Sequence, residues 1–127
     1  MDKVITIDGK NVGFRATALT PRLYRHKFKR DIMQDLNQLR KAYNKAANLP
    51  ENATEEEKTD AQIDVIDLEI FENVAWLMAR QYDNSRIPDS PDDWLDSFST
   101  FSIYVILPEI LDLWIQNQIT TSKPKNV

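Results

Sequence analysis

DAQIDVIDLEIFENVAWLMARQYD, residues 60–83, is the stretch on which the fold turns. Ile63, Ile66, Ile70, Val74 and Leu77 recur at three- and four-residue steps and make one apolar stripe; Leu68, Phe71, Ala75, Met78 and Tyr82 make a second. Apolar residues at this spacing share a helix face, and a helix apolar on two sides has to be covered on both. The stretch is expected to be the longest helix, from about 60 to 83, lying at the centre of its domain.

The segments on either side read as the cover. Residues 50–59 are polar and acidic and form a surface linker, in which Thr54 with Glu57, or Thr59 with Gln62, supplies a capping box for the central helix. Asp31 opens an earlier helix in which Ile32, Leu36, Leu39 and Tyr43 form one stripe, fading at Asn48-Leu49-Pro50. Before it, Thr20-Pro21 combines an N-cap residue with a proline preorganised for the first helical turn, followed by LYRHKFKR at 23–30. Residues 3–17 are the one β segment: Val4, Ile5 and Ile7 lead into Asp8-Gly9, after which Val12, Phe14 and Ala16 alternate with Gly13, Arg15 and Thr17. Asp-Gly between two such runs predicts a hairpin, because its turn requires positive φ.

Downstream, a loop over Asp83–Asp89 is closed by Pro88, and Ser90-Pro91-Asp92-Asp93 repeats the helix-start signal ahead of Trp94, Leu95 and Phe98. Ser99-Thr100 breaks that short helix. A last helix carries Ile103, Ile106, Leu107, Ile110, Leu111, Leu113 and Trp114, with Pro108 placed to kink or restart it. The expected fold class is mainly α: a small helical domain of four to five helices with an N-terminal β-hairpin, spanning 1–119, then a flexible C-terminal tail at 120–127.

Composition narrows the chemistry. The chain has 127 residues and two glycines, Gly9 and Gly13, which leaves none for a phosphate-cradling loop. It has no cysteine, so disulfides, thiolate nucleophiles and cysteine metal sites are excluded. MDKVITIDGK has no apolar h-region, and the run Ile103–Leu107 ends at Pro108-Glu109, far short of a span; no secretory signal and no membrane segment are expected. The net charge of −4 hides an asymmetry. Residues 1–49 carry eleven Lys/Arg against four Asp/Glu, and residues 50–127 carry five against sixteen. These halves can attract each other within one fold or, head to tail, between copies. Solvated faces and internal neutralisation are the plainer explanation.

No catalytic constellation emerges. His26, the one histidine, sits among Arg25, Lys27 and Lys29, which repel a metal cation. No Ser or Thr has another base to activate it. The carboxylate pairs (Asp64 with Asp67 or Glu69, Asp92 with Asp93, Glu109 with Asp112) read as soluble helix faces within an acidic half. No enzyme activity, cofactor or metal is expected.

Binding surfaces remain. Arg15, Arg22, Arg25, Lys29 and Arg30, interleaved with Leu23, Tyr24 and Phe28, suit phosphate contact and stacking, although a pI near 5.0 argues against nucleic acid. On a helix the three apolar residues more simply face the core. Trp94, Phe98, Phe101, Tyr104 and Trp114 are expected mostly in the core, with the remainder as anchors for a partner. The partner-binding candidates are thus Arg15, Arg22, Arg25, Lys29, Arg30, Trp94, Phe98, Phe101 and Tyr104.

TIDGKNVGFRATALTPRLYRHKFKRDIMQDL at 6–36, with DDWLDSF at 92–98 and LPEILDLW at 107–114, resembles the tail assembly chaperones of long-tailed phages and prophages of Gram-positive bacteria. The likeness runs through most of the chain in one order: hairpin, basic helix, acidic central helix, Trp-containing C-terminal part. It implies a non-enzymatic protein of the bacterial host cytoplasm that coats the tape measure protein. It also implies release when tail-tube protein polymerises, absence from the finished virion, and self-association. A longer form made by ribosomal frameshifting belongs to the same expectation, and Pro124-Lys125-Asn126 is compatible with a slippery codon run. Two other functions compete: a head–tail connector or tail component retained in the virion, and a small nucleic-acid-binding regulator using Arg22, Arg25, Lys29 and Arg30.

Overall fold

The computed structural model describes residues 1–60 and 64–122, and the side chains of 59, 60 and 119–122 are not described. The fold is mainly helical with an N-terminal two-stranded antiparallel hairpin. Strand β1 spans Asp2–Ile7 and β2 spans Lys10–Arg15, in a register that sets Val4 opposite Gly13 and Ile5 opposite Val12. Asp8 and Gly9 have φ of 53° and 77°, the paired positive values that a two-residue hairpin turn demands. The pleat sends Ile5, Ile7 and Phe14 into the core.

Six helices follow among the described residues: α1 Thr20–Phe28, α2 Ile32–Ala47, α3 Glu55–Asp60, α4 Val65–Tyr82, α5 Pro91–Asp96 and α6 Ile103–Ser122. The count exceeds the expected four to five because the acidic linker folds. Thr54 Oγ1 accepts the Glu57 N–H at 3.1 Å, so the capping box expected to start the central helix starts the separate, short α3 instead. The central helix begins at its own cap, where Asp64 accepts the Asp67 N–H at 2.8 Å. Ile63 and Gln62 lie outside the described residues, as do residues 123–127 of the expected tail; residues 120–122 of that tail instead belong to α6.

Helix α4 is the core helix, but at 18 residues it is not the longest as expected; α6, which continues through Pro108, has 20. Every residue from Val74 to Ala79 is buried, and β2, α1, α2, α5 and α6 all pack on it. The apolar stripes hold from Leu68 to Met78, whereas Ile66 before them and Tyr82 after them are exposed. One hydrophobic cluster runs from Ile5 and Phe14 through Tyr24, Leu39, Phe71 and Met78 to Trp94 and Trp114. Pro108 does not divide the last helix; α6 continues through it. No helix among the described residues is long and apolar enough to cross a membrane.

Two caps match their sequence signals: Asp31 accepts the Met33 N–H at 2.9 Å, and Ser90 accepts the Asp93 N–H at 3.1 Å. Thr20 differs. It was expected to cap α1 from outside, but it is the buried first residue of the helix and Leu19 occupies the cap position. Its hydroxyl accepts the Thr17 N–H at 2.9 Å and donates to Gln81 Oε1 at 2.7 Å, while Gln81 Nε2 donates to Thr17 at 2.6 Å. The threonines have partners on α4, and tertiary pairing replaces the local cap.

Candidate protein-binding surface

Helix α1 owes its orientation to a joint at each end. At its start the Thr17–Thr20–Gln81 network ties it to α4. At its end Lys29 adopts the left-handed conformation (φ 59°, ψ 36°) and closes the last turn by donating to the Arg25 carbonyl at 2.9 Å. Arg30, the next residue, lays its guanidinium on Asp35 of α2, with Nε and Nη2 at 2.7 and 2.8 Å from the two oxygens. Tyr24 Oη donates to the same carboxylate at 2.8 Å. Burial and the neighbouring Asp35 push the Tyr24 phenol well above its ordinary range, so it remains a donor. The carboxylate is buried while Arg30 keeps half its side chain in solvent.

With Tyr24, Leu23 and Phe28 turned toward the core, Arg22, Arg25, His26, Lys27 and Lys29 are left exposed. Among the described residues none of these five forms an ion pair, and α1 contains no acid. Lys27 instead lies 5.6 Å from the ring centre of Trp76. The charge asymmetry is thus hardly neutralised by pairing within the fold. Lys3, bound to Glu109 and, at 3.0 Å, to Asp112, is the one described cation that bridges the basic and acidic parts of the chain in an ion pair. Hydrogen bonding to Glu109 raises the Lys3 pKa first of all, against a smaller effect of burial. On the acidic side burial raises the Glu72 carboxyl above its ordinary range, with repulsion from Glu69 and Asp92 adding to it.

Of the open grooves among the described residues, two are lined mainly by apolar surface. The first, about 510 Å³, lies between α1 and α4: Leu23, Trp76 and Leu77 supply its apolar part, and His26, Lys27, Arg80, Gln81 and Asn84 supply the rest. Its lining contains no carboxylate. Trp76 is fixed beneath it by an N–H bond to the Pro88 carbonyl at 2.9 Å, and Arg80 is fixed by the Ile87 carbonyl and by Asp89. The second groove, about 490 Å³, lies between α2 and α6 and exposes Met33 and Ile115 above Leu36, Leu111 and Trp114.

The nine candidate residues separate. Arg22, Arg25 and Lys29 stand together on the open face of α1. Arg15 is engaged elsewhere, bound to Asp2 at 2.8 Å and stacked 5.5 Å from the Tyr82 ring, and Arg30 is engaged with Asp35. Trp94 is core: its ring meets Phe14, Phe98 and Phe101 at centroid distances of 6.3, 5.3 and 5.2 Å, and Phe101 reaches Phe71 at 5.3 Å. Phe98 and Phe101 are half-buried in that aromatic group, leaving Tyr104, 55% exposed, as the member at the surface. Sequence reasoning missed the groove itself. Trp76 and Arg80 one turn apart on a core helix, and a lysine on α1, carry no local sign that they converge.

Comparison with protein-family models, with characterised proteins and with solved structures finds no match.

Proposed function

We propose that this chain is a non-catalytic binding protein of phage tail assembly. It is a chaperone of the bacterial host cytoplasm that coats the tape measure protein, holds it soluble, yields to tail-tube protein as the tube forms, and is left out of the virion. The observation that carries the reading is the open face of α1. Five basic side chains without an ion-pair partner in the described fold stand on a helix anchored at both ends, and two of them, His26 and Lys27, line an apolar groove. Surplus charge of one sign next to apolar surface favours a macromolecular partner over a small substrate, because it steers encounter and then buries area. The fold keeps the expected order of elements, with the basic helix after the hairpin and the Trp-containing segment after the core helix.

A long partner also suits a small binder. Many copies, each with a modest interface, shield a rod by repetition, and the basic α1 with the acids of α4 and α5 gives neighbouring copies complementary faces. The test is co-expression with the tape measure protein of the same gene cluster, followed by pull-down and light scattering. A soluble complex holding several copies per long chain is expected, and virion mass spectrometry should find the small chain missing. Insoluble tape measure protein with the small chain eluting alone would overturn the reading. Its retention in virions would favour a connector or tail component.

A further inference from the structure

We infer that the groove between α1 and α4 receives an amphipathic helix whose apolar stripe is flanked by Asp and Glu. The inference deepens the binding function proposed above by giving the partner's chemistry at one face, and it stands or falls separately from the partner's identity.

Shape and charge in the groove point to the same occupant. The floor is Leu23, Leu77 and the Trp76 ring, which donates its N–H to the Pro88 carbonyl at 2.9 Å and lies beneath Lys27 and Arg80, so an apolar stripe enters between these two cations. The α1 rim offers His26 and Lys27, both exposed, and the ammonium of Lys27 has no carboxylate among the described residues. Arg22 and Arg25 extend the positive field along the same helix. The α4 rim adds Arg80, already paired with Asp89 at 3.1 Å, and the uncharged side chains of Gln81 and Asn84. A helix flanked by lysines would meet these cations at close range; one flanked by carboxylates gives Lys27 the partner that the fold withholds. The groove between α2 and α6 differs, because its rim is mainly uncharged amide with Arg40 as the one charged side chain in its lining.

Two synthetic helical peptides of about 18 residues, long enough for five turns, share one Leu stripe and differ only in Glu or Lys flanks. They are titrated into the full chain with amide and indole NMR detection. The Glu-flanked peptide should bind, shifting Leu23, Lys27, Leu77 and the Trp76 indole N–H, and the Lys-flanked peptide should not. Lys27→Glu should weaken binding about fivefold, the size of one exposed ion pair exchanged for a repulsion. Lys45→Glu, with the same change in net charge on α2, should leave binding unchanged; circular dichroism confirms that both variants fold. Equal binding of the two peptides, shifts confined to the α2–α6 groove, or equal effects of the two substitutions would overturn the inference. A tape measure complex that forms and is indifferent to Lys27→Glu would sink the groove assignment while leaving the chaperone function standing. Peptide binding with those shifts, in a chain that fails to solubilise the tape measure protein, would do the reverse.

Discussion

Removing Arg30 should destabilise the protein more than neutralising Asp35, although both changes break the same pair. The side chains are unequally exposed, 50% for Arg30 and 3% for Asp35. Arg30→Met strands a carboxylate in the interior with only the Tyr24 hydroxyl to answer it, at a cost of about 3 kcal/mol. Asp35→Asn leaves an amide oxygen for Tyr24 and a guanidinium that returns to water. Its cost is the charge-assisted bonds, one imperfectly paired amide, and an acid in the first turn of α2, together about 2 kcal/mol. With a urea m-value near 2 kcal/mol/M, the two midpoints should differ by about 0.5 M. The double variant should be more stable than Arg30→Met alone, because it no longer buries an unanswered charge. Equilibrium urea unfolding followed by tryptophan fluorescence measures all four proteins. An Asp35→Asn midpoint at or below that of Arg30→Met, or a double variant weaker than Arg30→Met, would refute this account of the joint that orients α1.

Two further outcomes follow from particular contacts. A Cβ at Gly13 would stand 2.2–2.5 Å from atoms of the Tyr82 ring, so Gly13→Ala should expel that ring from the hairpin and cost about 1–2 kcal/mol; in a Tyr82→Ser background the same change should be neutral or stabilising, which thermal melts will show. Glu72 has its folded pKa raised, first by burial, so its ionisation works against folding above that pKa and stops doing so as pH falls toward the ordinary value of 4.5. Glu72→Gln should therefore stabilise at pH 7, by less than about 1 kcal/mol, and the advantage should close near pH 4.5; an advantage that grows on acidification would contradict the burial argument.

The elements that the sequence made legible are those whose signals are local. Asp8-Gly9 gave the hairpin turn, Asp31 and Ser90 gave two helix starts, and the stripes through Ile70, Phe71, Val74 and Met78 gave the core helix. Where signals competed, the outcome turned on partners distant in sequence. Thr20 looks like a cap, but Gln81, 61 residues away, takes its hydroxyl into the interior. Thr54 and Glu57 do form a cap, yet the helix they start is too short to be the central one. Lys29 ends α1 in a left-handed conformation usually given to glycine, and nothing in its neighbours announces that. Gly13 reads as an ordinary strand position, and only the fold lays the Tyr82 ring on it.

The candidate surface was legible in part. Arg22, Arg25 and Lys29 were read as basic and proved to be exposed together, because Leu23, Tyr24 and Phe28 claim the opposite side of the helix. Arg15 and Arg30 have the same charge, but their roles depend on Asp2 and Asp35, which composition does not connect to them. The aromatic candidates divided by depth rather than by type: Trp94 fills the space between Phe14 and Phe101, and Tyr104 remains outside.

Hydrogen–deuterium exchange of the chain, free and bound to co-expressed tape measure protein, tests most directly whether α1 is where a partner sits. Protection should concentrate in α1 and in the α4 segment around Trp76–Asn84, with α3 unchanged. Protection that leaves α1 untouched and gathers on α3, or on α2 and α6, would place the partner elsewhere and contradict the assignment of the basic helix.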